Sequence, residues 1–286
     1  MRIKIGNNGR LGNKMFQYMF CRRLQDLVPL SSVDGFKIPE FNLTSPDRPL
    51  EGRVLHIRDG HRHSMNSIAH MLNERIYDHV LFDGYVQRLE YYPNRDLLSG
   101  LFPSPHETDL THLGAGNLLI NVRGAEVLAA THADYGPVPV DFFSQVATET
   151  KLTPVIMGQM GDDAYSDEIR IRFRGCVFLP SHSAIRDFEI VRHAKNITFG
   201  VSSFSWLAAW LSKTAEAIHM PVSGYYNPLQ RSDIDLLPVG DDRYRFYDFP
   251  VQKWAATEEQ QAYVLGSGKT FRRLTPHEIR ARIVYH

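Results

Sequence analysis

Short apolar runs alternate with amphipathic helical patterns along most of the chain, and this alternation restricts the fold more than any other property of the sequence. Runs with the look of buried strands lie at 3–5 (IKI), 54–57 (VLHI), 80–85 (VLFDGY), 118–122 (LLINV), 154–158 (PVIMG), 176–179 (CVFL), 196–200 (NITFG) and 217–220 (AIHM). Helical stripes fall between many of them. Phe16, Phe20, Leu24 and Leu27 form one, and Phe188, Val191 and Ala194 form another whose start carries Ser183 and Asp187. Strands that read as continuous apolar runs and are separated by helices belong to parallel sheets covered by helices. The predicted class is α/β.

A length of 286 residues is enough for two domains of moderate size. The stretch GLFPSPHETDLTHLGAG, around residues 100–117, gathers prolines, glycines and polar residues between periodic segments, so the boundary is placed there. The predicted domains are 1–112 and 113–286. The chain closes on TPHEIRARIV, a predicted helix capped by Thr275 with Pro276 in its first turn, which is a candidate to pack back on the first domain. Two Rossmann-like halves facing a cleft are the natural assembly. Ligands of open parallel sheets bind at the carboxyl ends of the strands, where loops lead into helix N-termini.

Lysine plus arginine equals aspartate plus glutamate at 32 each, so no overall field would draw the chain to nucleic acid or to an acidic membrane. Any anion must be bound locally. Cys21 and Cys176 lie far apart without CxxC spacing, which indicates neither a disulfide framework nor a zinc site and fits a reducing compartment. No apolar stretch approaches the roughly 18 to 20 residues of a membrane span, and the N-terminus runs straight into IKI with no room for a signal peptide. A cytoplasmic location is expected, without an integral membrane segment and with peripheral membrane association left open.

Three stretches could carry chemistry. The first, GRLGNKMFQY at 9–18, follows a predicted strand and opens a predicted helix, where backbone NH groups converge on an anion. Gly9 and Gly12 would allow close approach and Asn13 offers an amide. A tight turn needing glycine for its backbone angles explains the same residues equally well. It is not the dinucleotide GxGxxG pattern. The second, LLINVRGAE, is an apolar strand ending abruptly in Asn121, Arg123 and Glu126 around Gly124. Arginine at the end of a central strand needs a partner, either a bound phosphate or the Glu126 carboxylate in a loop-closing ion pair. Its planar fork suits bidentate binding of phosphate. The third, NITFGVSSFSWLAAWL, places Ser202, Ser203 and Ser205 where they can cap a helix, present donors to an anion, or both.

Other stretches are better explained without chemistry. LGSGKT at 265–270 ends like a phosphate loop, but the first glycine of GxxxxGKT would fall on Tyr263 and no strand precedes it. His61, His63 and His70 keep no metal-site spacing with acidic or cysteine ligands, so a surface loop is expected there and no metal. GYVQRLEYY at 84–92 is the aromatic cluster whose polar members suggest a cleft.

Taken together, these stretches resemble the alpha-1,2-fucosyltransferase family, glycosyltransferase family 11, and more distantly other GDP-fucose-dependent transferases. GRLGNKMFQY resembles that family's opening GxLGNQMFQYA, and DGYVQRLEYYP resembles its GYxQSxxYF. INVRGAE sits where HxRRGD is expected. DFEIVRHAKNITFGVSSFSWLAAWL resembles the segment that ends in NSSFSWWxAWL.

The resemblance implies a GT-B fold and inverting, metal-independent transfer from a GDP-sugar, with GDP-fucose the expected donor and an oligosaccharide or surface glycan the expected acceptor. By that resemblance the loop of Gly9, Arg10, Gly12 and Asn13 faces the sugar and its leaving oxygen. Arg123 holds the β-phosphate, Ser202, Ser203 and Phe204 cradle the diphosphate, Asn121 lies beside it, and Asp187 sits towards the nucleoside. Arginine and helix-end dipoles aimed at the departing diphosphate can take the place of a metal ion. A carboxylate must deprotonate the acceptor hydroxyl. Glu126 is the first candidate and Asp134 the next, and Arg123, Glu126 and Asn13 form the expected catalytic set.

The chain departs from the pattern where Asn121 replaces the family histidine, Gly124 its second arginine, Ala125 its glycine and Glu126 its aspartate, and also at Lys14 and Val201. The alternative function is a non-catalytic GT-B-like protein that binds a nucleotide sugar or glycan.

Overall fold

The computed structural model describes residues 1–104 and 113–283. It is an α/β protein of two compact units, one made of 1–105 with 233–236 and the other of 106–232 with 237–286. The predicted boundary at 112/113 itself lies outside the described residues.

The first unit is built on β1 (Arg2–Ile5), α1 (Leu11–Leu27), β2 (Ser32–Asp34), a small hairpin of β3 (Lys37–Ile38) and β4 (Leu43–Thr44), β5 (Val54–Arg58), α2 (Met65–Asn73), β6 (His79–Asp83) and α3 (Arg95–Gly100). Its sheet is parallel throughout, in the order β2-β1-β6-β5. Alternation along the strands separates two faces. Ile3, Ile5, Val80, Phe82 and Ile57 are buried on one, and Arg2, Lys4, His79, Leu81 and Asp83 are half-buried on the other. Residues 47–49 cross the polar face, where Asp47 pairs with Lys4 and the carbonyl of Pro49 accepts from Arg2. The predicted stripe of α1 is present: Phe16, Phe20 and Leu24 are fully buried, but Leu27 in the last turn is 37% exposed. Phe20 stacks on Phe82 with ring centroids 4.7 Å apart, joining helix to sheet.

The second unit contains β7 (Asn117–Arg123), α4 (Val140–Thr150), β8 (Thr153–Gln159), α5 (Ala164–Arg172), β9 (Val177–Phe178), α6 (Ala184–His193), β10 (Asn196–Phe199), α7 (Ser203–Trp210), β11 (Ala217–Val222), β12 (Tyr244–Asp248), α8 (Glu258–Leu265), β13 (Arg273–Leu274) and α9 (Pro276–Arg282). The order is β13-β12-β11-β10-β7-β8-β9, and every pairing but β12–β13 is parallel. Counted along the chain, the six parallel strands run 3-2-1-4-5-6, the doubly wound Rossmann order. It reverses between β7 and β10, and ligands of such sheets bind outside the carboxyl ends of the strands at that point.

Every predicted strand is present, although β6 ends at Asp83 and does not reach Tyr85. No strand was expected at β2, β3, β4, β12 or β13. The last helix carries the predicted Thr275 cap, completed to a capping box by Glu278, and it belongs to the second unit, where Arg282 pairs with Asp248 at 2.7 Å. Among the described residues no helix is long and apolar enough to cross a membrane. Cys21 and Cys176 are free thiols, and burial pushes the Cys21 thiol far up.

Candidate functional site

The reversal point of the second unit brings two of the three candidate stretches together. Gly200, just past β10, donates its NH to the Asn121 carbonyl at 2.9 Å, so the strand-to-helix turn lies directly against the end of β7. A Cβ at Gly200 would lie 2.8 Å from Arg123 Cβ and 3.1 Å from its nitrogen. On the other side β8 comes equally close. Gly158, at φ +115°, would place a Cβ 2.2 Å from the Val122 carbonyl oxygen. Glycines on both sides let three backbones converge at the end of β7.

Asn121 is only 5% exposed, and its Oδ1 accepts from Ser205 Oγ at 2.8 Å. It stitches β7 to α7 with that oxygen. Arg123 donates from Nη2 to Glu126 Oε1 at 2.5 Å, so the loop-closing ion pair foreseen as one alternative is formed. Glu126 thereby orients the guanidinium. Arg123 Nε is buried and makes no hydrogen bond among the described residues. A buried donor without an acceptor is costly, so Arg123 is not satisfied by Glu126 alone. Ala125 between them is held at φ +50°, a left-handed conformation that favours glycine.

The N-terminus of α7 meets this arginine's strand end. Ser202 caps the helix, its side chain accepting from the Ser205 NH. Its backbone is held by Tyr226, whose hydroxyl accepts from the Ser202 NH at 3.0 Å and donates to the Ser202 carbonyl at 2.7 Å. Burial pushes the Tyr226 phenol up, which keeps the proton that second bond requires. The first amides of α7, those of Ser203 and Phe204, have no carbonyl partner among the hydrogen bonds of the described residues. They and the guanidinium are what an anion could engage.

Phe204 packs edge-on against Phe188 of α6, with centroids 5.4 Å apart. Asp187, in the first turn of α6, accepts from the Ser181 hydroxyl at 2.5 Å and the His182 NH at 3.1 Å, so it shapes the loop entering that helix. Asp134, the alternative base, is 9% exposed and accepts from Gln230 at 2.9 Å and Arg231 at 3.1 Å. Its carboxylate serves as an internal anchor.

The opening loop lies at the carboxyl end of β1 in the first unit. Gly9 has φ +81°, and a Cβ there would meet Asn13 Nδ2 at 2.4 Å, so it must be glycine for conformation and space alike. Arg10 is the N-cap of α1 and makes no side-chain capping bond, and the Lys14 NH returns to its carbonyl. Leu11, Gly12 and Asn13 therefore supply the first-turn amides of a long helix with no capping side chain. Asn13 Oδ1 accepts from Gln87 at 3.0 Å. Gln87 follows Val86, a β-branched residue at φ +47°, a conformation such residues rarely adopt. The GYVQRLEYY cluster thus supports the loop: Tyr92 donates to the Val86 carbonyl at 2.8 Å, and Tyr91 accepts from the His63 NH at 2.7 Å.

The remaining expectations resolve as structure. The LGSGKT turn does bind an anion, but an internal one, since Asp141 accepts from the Ser267 and Gly268 amides at 2.8 and 2.9 Å. His61 accepts from the Gln87 NH at 3.2 Å and stacks on Tyr85. Among the described residues no group of three or more histidine, cysteine, aspartate or glutamate side chains is placed to hold a metal. A pocket of about 540 Å³ lies at the amino-terminal edge of the first unit's sheet, lined by Met1, Val28, Asn73, Tyr77 and His79 among others, and it holds none of the candidate residues.

Sequence reasoning missed Tyr226, which clamps Ser202 from 24 positions away, and it said nothing of Asp83, which is paired with His56. For Asp83 a signal existed. VLFD is an apolar strand ending in a charge, the same signature that drew notice to Arg123.

Comparison with models of protein families finds no match, and neither does comparison with curated proteins. Among solved structures, the chain is similar to a mutant of Arabidopsis thaliana FUT1 in complex with GDP, at 12% identity and a TM-score of 0.46, over 77% of this chain and 69% of that one. It is also similar to E. coli ADP-heptose lps heptosyltransferase II, at 15% identity and a TM-score of 0.47, over 99% and 97% of the two chains.

Proposed function

We propose that this chain is a GT-B-like glycosyltransferase that moves a sugar from a GDP-sugar, with GDP-fucose the donor, to a carbohydrate acceptor, inverting the anomeric centre without a metal ion. One observation carries the reading. Arg123 lies where a doubly wound sheet reverses its order, with a buried Nε that Glu126 does not satisfy, against the open N-terminus of α7. That combination of a fork donor and helix-end amides suits a diphosphate. The order of the GRLGN, GYVQRLEYY, NVRGAE and SSFSWLAAWL motifs supports the sugar nucleotide as its carrier.

In this reading Arg123 takes the β-phosphate, and the amides of Ser203 and Phe204 take oxygens of the same diphosphate. As the glycosidic bond breaks, negative charge grows on the departing oxygens and these fixed donors stabilise it. Glu126 positions Arg123, Asn121 and Ser202 hold the two backbones in register, and Asp187 orders the loop assigned to the nucleoside. To Gly9, Arg10, Gly12 and Asn13 we assign the transferred sugar. Two free cysteines fit a cytoplasmic enzyme.

The test is a thermal-shift titration with GDP, UDP, dTDP and ADP, each with EDTA or magnesium. A ligand at 100 times its dissociation constant stabilises by about 2.7 kcal/mol, which is easily read. GDP should raise the melting temperature equally in both buffers. A shift confined to another nucleotide, or seen only with magnesium, overturns the assignment. GDP binding without any release of GDP from GDP-fucose would favour the non-catalytic alternative.

A further inference from the structure

The two sheets end in different chemistry. At the reversal point of the second unit the groups placed to meet a ligand are donors, the Arg123 guanidinium and the first amides of α7. The first unit has a reversal point of its own. Counted along the chain, its strands run 2-1-4-3, and the order turns between β1 and β6. Ligands of open parallel sheets lie outside the carboxyl ends of the strands at such a point. Here the loops after β1 and β6 lie side by side, tied by Gln17, which donates to the carbonyls of Asn8 at 3.3 Å and Gly84 at 3.1 Å.

The end of β6 and the loop after it carry two acceptors. Asp83 is the last residue of β6, and its side chain fills the space that one at residue 6 would need: a Cβ on Gly6 would lie 1.3 Å from Asp83 Oδ1. Gly6 has no left-handed backbone angle, so the carboxylate is what requires glycine there. From the other side, His56 Nε2 lies 2.9 Å from Asp83 Oδ2. Arg58 Nε approaches Nδ1 of the same ring at 3.1 Å and uses its lone pair, which leaves the ring proton on Nε2 to donate to Asp83. Oδ2 is thereby engaged, and Oδ1 makes no hydrogen bond among the described residues.

Gln87 supplies the second acceptor. It is 1% exposed, and its Nε2 donates to Asn13 in the first turn of α1 at 3.0 Å. Its Oε1, held beside that turn, has no hydrogen-bond partner among the described residues. A buried acceptor without a donor is costly. The loop after β1 leads to donors: the Leu11, Gly12 and Asn13 amides open a 17-residue helix and have no carbonyl partner among the hydrogen bonds of the described residues.

An anion does not suit this set, because a carboxylate and a carboxamide oxygen would face its negative charge. A hydroxyl suits it, since it donates one proton and accepts through its lone pairs. We infer that Asp83 Oδ1 and Gln87 Oε1 are specificity-determining acceptors for the hydroxyls of a neutral sugar held on the first unit, with the α1 amides donating to that sugar's oxygens. The inference rests on the glycosyltransferase reading for the ligand being a sugar, and on no residue of the second unit. His56 and Gly6 are positioning residues that fix one carboxylate oxygen and leave room for the other.

Saturation-transfer NMR on the whole chain, without nucleotide, tests this with the methyl glycosides of fucose, galactose, glucose and mannose. At least one should show saturable binding that pyrophosphate does not displace. Asp83→Asn keeps an oxygen for His56 and turns an NH2 group towards the sugar in place of Oδ1. Affinity for the bound glycoside should fall about tenfold or more, with the melting temperature and the GDP-induced shift unchanged. For one monodeoxy analogue of that glycoside Asp83→Asn should cost no further affinity, a coupling that a merely structural role would not produce. Gln87→Met should couple in the same way to a different analogue, and Gly6→Ala, which displaces the carboxylate, should weaken binding as Asp83→Asn does. Comparing GDP-fucose with GDP tells the sources of the sugar apart: Asp83→Asn weakens GDP-fucose alone if the sugar is the transferred one, and neither if it belongs to the acceptor. Binding of none of the glycosides, displacement by pyrophosphate, or an Asp83→Asn affinity within threefold of wild type overturns the inference and leaves the diphosphate site standing. Wild-type protein that gives no GDP-induced shift overturns the glycosyltransferase reading, and this inference falls with it.

Discussion

Gly200 and Arg123 are in contact across two parallel strands, and the space between them admits no side-chain carbon. A Cβ at 200 would sit 2.8 Å from Arg123 Cβ. Gly200→Ala should therefore push the end of β7 away from the turn into α7, at a cost of about 1 to 3 kcal/mol by comparison with overpacked cores. Chemical denaturation would measure that cost, and the GDP-induced thermal shift of the variant should be smaller than that of wild type. An alanine variant equal to wild type in both would place the anion site elsewhere.

Arg123→Lys keeps a positive charge and loses the planar fork. Interactions that strengthen as the leaving group gains charge affect turnover more than binding. By comparison with losing one preorganised donor, single-turnover release of GDP from GDP-fucose should fall by about a hundredfold or more. GDP affinity, measured by calorimetry, should weaken less. A lysine variant within twofold of wild type in both would make Arg123 a structural partner of Glu126.

Glu126→Gln tests the other half of that ion pair. With the carboxylate gone, Arg123 keeps its charge and loses its orienting acceptor. GDP affinity should change by only a few fold, because the pair is part-exposed and such pairs contribute about 1 kcal/mol or less. A selective loss of turnover far beyond that, restored by azide, a nucleophile that needs no deprotonation, would make Glu126 the base.

Lys151 caps α4 in the left-handed conformation at φ +57°, its NH bonded to the Ala147 carbonyl. A side chain in that conformation costs about 1 to 2 kcal/mol that glycine does not incur, partly offset by the greater freedom of glycine in the unfolded chain. Lys151→Gly should raise the urea midpoint modestly and leave GDP binding unchanged. A lower midpoint would show that the lysine stem supplies packing worth more than the backbone strain.

Acid should destabilise the protein in two windows. Burial lowers the His219 imidazole from 6.5 to about 4, so between those values the unfolded chain binds a proton that the folded chain refuses, and stability falls as pH drops. Below that, the Thr275 NH and the Arg272 guanidinium lower the Glu278 carboxyl from 4.5 to about 2, and Arg53 lowers that of Asp78 from 3.8 to about 2. A depressed carboxyl contributes stability above its unfolded value that is lost as pH falls through its folded value. Urea midpoints measured from pH 7 to 2.5 should decline across both ranges. His219→Gln should flatten the upper slope and Glu278→Gln part of the lower one.

The sequence by itself determined the layers, because apolar runs of strand length separated by helical stripes leave few other ways to bury them. It also determined the local ends of elements. The Thr275 capping box, the Ser183 and Ser202 caps and the glycine at residue 9 are set by neighbours a few positions away, and such signals survive in a linear string. Tertiary structure alone decided what each charged strand end does. Arg123 and Glu126 are near neighbours in sequence, yet the backbones of Gly200 and Gly158 that close around the end of β7 come from distant parts of the chain. Tyr226 fixes Ser202 only because β11 lies beside β10. Asp83 was visible as a charge after an apolar run, but its partner His56 and the space left by Gly6 are brought to it by strand order. Strand order is a global property: it follows from how helices pack across a sheet, and no local stretch of residues encodes it.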